Sequence, residues 1–283
     1  MNGLQFLNWL KDYSSGKNVR PLVMGILNMT PDSFLPTSRF SHLDDGLQRA
    51  MDMIEAGVDI IDIGGESTRP GAKTVSIDEE LQRIIPIIEK IRQQSDICIS
   101  VDTYKPEVMK QIRSYHIDMI NDVYALQQPG ALEWIASSPI PVCLMHMFGH
   151  PLTMAQTTQA EVNMVVEVKQ FLGNRMNKLL ELGFPKDWIL LDPGIGFGKT
   201  LHQNLKLLNE LTALKTFQRP ILLGVSRKRM VGDVLERAVE QRLCGSLAAN
   251  LVGLMRGAKI FRTHDVLETL DTIKMANTII EIE

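Results

Sequence analysis

A chain of 283 residues, 45% hydrophobic and 22% charged, can bury one large core, and an α/β barrel fills this length as a single unit. Its 30 basic and 33 acidic residues leave a net charge of -3 with no long block of either sign, which excludes an electrostatic patch for nucleic acid or membrane. No apolar run approaches the roughly 18 residues of a membrane span.

The first 18 residues, MNGLQFLNWLKDYSSGKN, mix polar groups into their apolar ones, so they read as an amphipathic helix able to plug a barrel's closed end and not as an export signal. Apolar, β-branched runs then recur: LVMGIL (22–27), VDIIDIG (58–64), ICISVD (97–102), HIDMIND (116–122), PVCLMH (141–146), WILLDPG (188–194), PILLGVS (220–226) and AKIFRTHD (258–265). They have the near-continuous hydrophobicity of strands buried on both faces, as in a parallel sheet. Helical periodicity fills the intervals. Asp44 opens DDGLQRAMDMIEAG, with Leu47, Ala50, Met51 and Ile54 on one face and Gly57 placed to end the helix. Ser76 and Glu79 form a capping-box pattern ahead of LQRIIPIIEKI, where Pro86 predicts a kink. The longest periodic stretch is 161–182. Eightfold alternation without a linker or repeat predicts a single (β/α)8 TIM-type barrel over 1–283 with an N-terminal helical extension.

Cys98, Cys143 and Cys244 are odd in number, widely spaced and set in apolar segments. All three are expected as buried free thiols of a cytoplasmic protein.

In such a barrel the C-terminal strand ends gather on one face, and each predicted strand ends in polar groups. They are Asn28; the Glu66 to Pro70 run; Asp102; Asn121 with Asp122; His146; Asp192; Ser226, Arg227 and Lys228; and Arg262 with His264. Singly, an aspartate there caps a helix and an arginine is solvated; eight coincident ends point to one site. Asp102, Asn121 and Asp192 offer acceptors to a flat heterocycle edge bearing several N–H donors. Asn28, Arg69, Arg262 and His264 suit phosphate oxygens and a divalent metal. Met145 is the methionine expected to line a ligand, the rest being core filler.

Two tempting motifs fail. In GIGFGKT, Pro193 stands where a phosphate loop needs its first glycine. His146 and His150 are four apart, but Gly149 and Pro151 break the helix that would aim both at a metal.

The segments GILNMTPDSF, DIGGESTRPGA, SVDTYKPEV, IND, PVCLMHM, LDPGIGFGK, SRK and RTHD resemble, in order, those of the dihydropteroate synthases, a family of pterin-binding TIM barrels. The resemblance runs from about Pro21 to about Thr272. It implies a homodimer that joins (7,8-dihydropterin-6-yl)methyl diphosphate to 4-aminobenzoate with Mg²⁺, releasing diphosphate. Carried over by motif, Asp102, Asn121, Met145, Asp192 and Lys228 bind the pterin. Asn28, Arg69, Arg262 and His264 hold the diphosphate, and Asn28 also the metal. Thr68, Pro70, Phe197 and Ser226 line the aminobenzoate side, where sulfonamides compete. Asp102, Lys228, Arg262 and His264 carry the chemistry. Two alternatives share the pterin pocket: a barrel of the corrinoid methyltransferase type, which has no diphosphate to hold, and a non-catalytic pterin-binding protein.

One departure from the family pattern lies in the first loop. Phe34 is followed by Leu35, Pro36, Thr37, Ser38 and Arg39, where family members commonly carry an aspartate; Asp32 is the preferred substitute, ahead of Thr37 or Ser38.

Overall fold

Eight short aliphatic runs become strands because their residues alternate between two buried environments, the barrel interior and the layer beneath the helices. The computed structural model describes residues 1–30, 39–67, 74–138, 140–149 and 162–282, with the backbone alone at 39–42. Thr68, Arg69, Pro70, Asp32, Thr37, Ser38 and His150 lie outside the described residues.

The elements run α1 (Gly3–Ser14), β1 (Leu22–Asn28), α2 (Arg39–Glu55), β2 (Ile60–Gly64), α3 (Ile77–Arg92), β3 (Cys98–Asp102), α4 (Pro106–Ile112), β4 (Met119–Asp122), α5 (Ala131–Ala136), β5 (Val142–Met145), α6 (Met164–Glu181), β6 (Ile189–Asp192), α7 (Leu201–Asn209), β7 (Leu222–Leu223), α8 (Arg229–Leu235), α9 (Leu243–Met255), β8 (Ile260–Thr263) and α10 (Val266–Ile280). All strand pairs are parallel, in the order β6-β5-β4-β3-β2-β1-β8-β7. A parallel bridge between Leu191 and Ile221 joins the two ends, so the expected barrel forms.

The barrel interior is apolar below and polar above. Leu22, Met24, Ile60, Cys98, Met119, Cys143, Leu190, Leu222 and Ile260 pack with Phe6, Trp9 and Leu10 of α1 into one buried cluster. The N-terminal helix is therefore the plug that its pattern implies. It is fastened by a reciprocal capping box between Asn2 and Gln5, by a 2.9 Å bond from Trp9 Nε1 to the Arg20 carbonyl and by the Arg20–Asp59 ion pair beneath β2. Two residues further along their strands the inward side chains become Asp62, Asn121, Asp192 and Arg262, and four residues further on β3 comes Asp102.

Several boundaries differ from expectation. Helix α2 begins at Arg39, five residues before Asp44, while Gly57 ends it as predicted: at φ +93° it lets Val58 N–H bond the Met53 carbonyl and Gly57 N–H the Ile54 carbonyl. Strand β7 keeps only two residues, since Pro220 has no N–H to donate to a ladder. Ser76 accepts from Glu79 N–H, but the Glu79 carboxylate goes to Arg83 instead of closing the box. Helix α3 continues through Pro86. Cys98 and Cys143 are buried, but Cys244 is exposed; it sits in the first turn of α9, on the outside of the barrel.

Phe6 is fully buried under the barrel floor, so Phe6→Ala should cost about 3–5 kcal/mol in urea unfolding. A loss below about 1 kcal/mol would mean that α1 is not part of the cooperative core.

Candidate active site

Register places the predicted site residues on one ring. Asn28 of β1 lies beside Gly64 of β2, which lies beside Asp102 of β3; Asp102 is level with Asn121 of β4, and Met145 of β5 with Asp192 of β6. At Gly64 a Cβ would stand 3.2 Å from Asn28 Oδ1, close enough that the amide would have to shift. Asn28, Asp102, Asn121, Met145, Asp192, Ser226, Lys228, Arg262 and His264 thus come together at the C-terminal rim, with half-buried Phe197 beside them.

At the centre is Arg262. Its Nε donates to Asp62 Oδ2 at 2.6 Å and its Nη2 to Asp102 Oδ2 at 2.8 Å. Asp62 also accepts from Asn121 Nδ2 at 3.1 Å, which turns the asparagine's carbonyl oxygen away from the carboxylate as a spare acceptor. Burial pushes Asp102 up to about 7, opposed by Arg262 and reinforced by Asp62. Burial raises Asp192 too, opposed first by Lys228. The same carboxylates hold Arg262 above its ordinary value although burial acts the other way.

Asp192 accepts from Gly194 N–H at 2.7 Å through Oδ1. Lys228 donates to the Ile195 carbonyl at 2.5 Å and stands 4.5 Å above the Phe197 ring, a cation–π distance. Burial lowers Lys228 to about 8 against the pull of Asp192. Tyr104, Tyr124, Met145, Met147 and Phe197 form an apolar wall beside these groups.

On the other side, Ser226 Oγ accepts from His264 N–H at 3.1 Å and meets His264 Nδ1 at 3.1 Å. With one proton and two lone pairs, the hydroxyl can serve Nδ1 as donor or as acceptor beside the backbone bond. Burial, with Arg262 second, lowers His264 to about 4. The ring is neutral at pH 7, and the positive charge of this site comes from Arg262 and Lys228.

Other strand-end groups are structural. Asp122 accepts from Tyr124 N–H and Leu126 N–H and faces away from the ring. Arg227 is held by both oxygens of Asp265 at 2.9 and 2.6 Å. Burial lowers His146 to about 2, and its ring packs edge-on against Phe171. Among the described residues no three His, Cys, Asp or Glu side chains gather as a metal site.

Asp62 is the residue that motif reading missed. Its signal was available: a fully buried carboxylate inside the apolar run VDIIDIG must have a partner. A second missed group joins Lys105 to Glu66 and Glu80, with Tyr104 Oη donating to Glu66 at 3.0 Å.

This geometry has known counterparts. The model of the pterin binding enzyme family matches residues 24–264. The dihydropteroate synthase of Escherichia coli (strain K12) is 46% identical over 255 residues, covering 90% of each chain. The Xanthomonas albilineans dihydropteroate synthase with 4-aminobenzoic acid superposes with a TM-score of 0.88 at 42% identity, covering 93% of this chain and 94% of that one. The Yersinia pestis dihydropteroate synthase in complex with a sulfonamide drug gives 0.87 at 44% identity, covering 92% and 94%. Fold and rim together define a pterin-binding barrel enzyme. Within that class, the chain belongs to the dihydropteroate synthase family.

Arg262→Met would leave two carboxyls buried without their cation, costing about 3–5 kcal/mol of stability near pH 7. Asp102 is raised in the fold above its unfolded value of ~3.9, so its contribution to stability falls as pH rises from ~4 towards 7. Without the guanidinium its pKa rises further, so parent and variant lose stability alike below about 7, and the gap between them should widen above it, where Asp102 ionises in the parent and stays protonated in the variant. Urea unfolding at several pH values measures the gap; a constant deficit would mean that Arg262 does not compensate these carboxylates.

Proposed function

We propose that this chain condenses (7,8-dihydropterin-6-yl)methyl diphosphate with 4-aminobenzoate to give 7,8-dihydropteroate and diphosphate, a step of folate biosynthesis. The carrying observation is the ring of buried acceptors, Asp102, Asn121 and Asp192, set against Arg262 and Lys228. A pterin edge presents several N–H donors, and charge-assisted bonds to buried carboxylates recognise it. Lys228 stands where an ammonium can donate to a ring oxygen or nitrogen while covering Phe197. Phe197 fits an arylamine better than a phosphate, since it offers a flat, half-buried ring; Ser226 joins it on the sequence motif.

Two bonds change in the reaction. The methylene carbon–oxygen bond breaks with its electron pair going to diphosphate, and the arylamine nitrogen then bonds to that carbon and loses a proton. If cleavage leads, positive charge spreads over the pterin ring as the leaving group departs, and the Asp102 and Asp192 carboxylates stabilise it more in the transition state than in the ground state. Arg262 meets the departing negative charge, and neutral His264 offers it one ring N–H. No covalent nucleophile is required.

Magnesium is part of the proposal. Mg²⁺ commonly keeps several waters and uses few protein ligands beside substrate phosphates, which fits the lone amide oxygen of Asn28 at the end of β1. Bound there, the ion would offset charge on the leaving diphosphate. Thr68, Arg69 and Pro70 are assigned to the aminobenzoate and diphosphate on their sequence motif. Three unpaired cysteines suit a reducing, cytoplasmic compartment.

The proposed partner is a second copy of the chain. Helices α9 and α10 pack together and expose Leu251, Val252, Met255, Leu267, Met275 and Ile279, apolar side chains that a second copy would cover. Light scattering should give twice the chain mass, and Met255→Glu with Met275→Glu should give a monomer. A parent that is monomeric at micromolar concentration would remove this part of the reading.

Turnover with both substrates is the primary test. Asp192→Ala should lose two ring bonds worth about 1.5–3 kcal/mol each, weakening pterin binding in calorimetry by roughly a hundredfold or more. Unchanged affinity would place the pterin elsewhere.

A further inference from the structure

The geometry points to Lys199 as a positioning residue for the reaction: its buried ammonium clamps the 193–198 loop and so fixes the arylamine half-site against the pterin half-site. The inference rests on the assignment of Asp192 to the pterin and Phe197 to the aminobenzoate.

Lys199 is buried, and its Nζ donates to the carbonyls of Gly194 at 2.7 Å, Phe197 at 3.1 Å and His146 at 3.2 Å. An ammonium has three donors, and all three are used on backbone oxygens. One cation therefore gathers two points of the loop and the end of the neighbouring fifth strand. The loop is shaped to allow this. Gly194 and Gly198 have φ of +66° and +67°, and a Cβ on either would stand 1.8 Å from a carbonyl oxygen, of His146 and of Phe148 respectively. Backbone lies directly on backbone, with no side chain between. Asn204 adds a 2.7 Å bond from Gly196 N–H.

Three groups of the substrate site hang on this loop. Gly194 N–H orients the Asp192 carboxylate, the Ile195 carbonyl holds Lys228, and the Phe197 ring lies under Lys228. Asp192 is also anchored by its strand, through its carbonyl to His146 N–H. Phe197 has its own weaker tie, a 3.4 Å bond from Phe148 N–H to its carbonyl. Loosening the clamp should therefore act on the arylamine side before the pterin side.

The charged groups facing Lys199 are Asp192 and Lys228, and His146 beside it is neutral at pH 7. Burial lowers Lys199 to about 7, with Asp192 opposing and Lys228 adding to the shift. The clamp thus loses one of its three donors as pH rises through neutrality.

The test uses the purified full-length protein with both substrates. Lys199→Met, which keeps the length and removes every donor, should raise the KM for 4-aminobenzoate roughly tenfold to a hundredfold while changing affinity for the pterin diphosphate much less. Lys199→Arg, whose charge does not titrate, should recover most of that loss. In the parent, the KM for 4-aminobenzoate should climb between about pH 6 and about pH 8.5, and the climb should flatten in Lys199→Arg; the parent profile needs no variant to fold. A lowered melting temperature with unchanged KM in Lys199→Met, or a flat parent profile, overturns the inference. If Asp192→Ala binds the pterin normally, the site assignment itself has failed. If Asp192→Ala loses the pterin while Lys199→Met keeps its KM, only the clamp has failed.

Discussion

A guanidinium buried at the mouth of a barrel needs carboxylates around it, and carboxylates buried there need the guanidinium. Arg262 between Asp62 and Asp102 satisfies both demands, and the rest of the site is arranged around that constraint. Asp62 spends one oxygen on Arg262 and on Asn121 together, which fixes the asparagine amide. Asp102 is left with part of its accepting capacity for a ligand. Removing any one member would leave a charge in a medium that solvates it poorly. The triad is weak evidence for stability and strong evidence for a geometry worth holding.

The barrel supplies that geometry by dividing its interior. The floor is aliphatic and is closed by α1 through Phe6, Trp9 and Leu10, so water does not reach the rim from below. Carboxylates one layer up then sit in a less polar surrounding than their distance from solvent would give. This is the physical cause of the raised Asp102 and Asp192 and of the lowered Lys199, Lys228 and His264. Desolvation moves all of them from their ordinary values; opposite charges draw Asp102, Asp192, Lys199 and Lys228 part of the way back, while Arg262 pushes His264 further, as at a site whose work is to manage charge.

The two substrate halves proposed for this site are built differently. The pterin half stands on strand ends, where register sets position closely. The arylamine half stands on a glycine-rich loop that needs pins: Lys199 on three carbonyls, Asn204 on Gly196 N–H, and Lys228 on the Ile195 carbonyl. A loop without a side chain facing its neighbour can approach the 146–148 backbone closely, at the cost of having no packing of its own to hold it.

Much of this was legible in the chain. Eight aliphatic runs, each ending in a polar group, dictate a barrel with one functional rim, because a parallel strand buried on both faces keeps most of its polar side chains for its ends. Asn28, Asp102, Asn121, Asp192, Lys228, Arg262 and His264 could be read as one site for that reason, and the N-terminal plug from its amphipathic period. The sequence by itself could not say that Asp62 belongs with Arg262, 200 residues away, while Asp59, three residues earlier in the same run, pairs with Arg20 at the opposite end. Nor could it say that Arg227 is tied up by Asp265, that Asp122 caps a turn, that His264 is neutral, or that Lys199 grips carbonyls. Those outcomes depend on which way each side chain faces and on how much water is left around it, and only the closing of the barrel decides either.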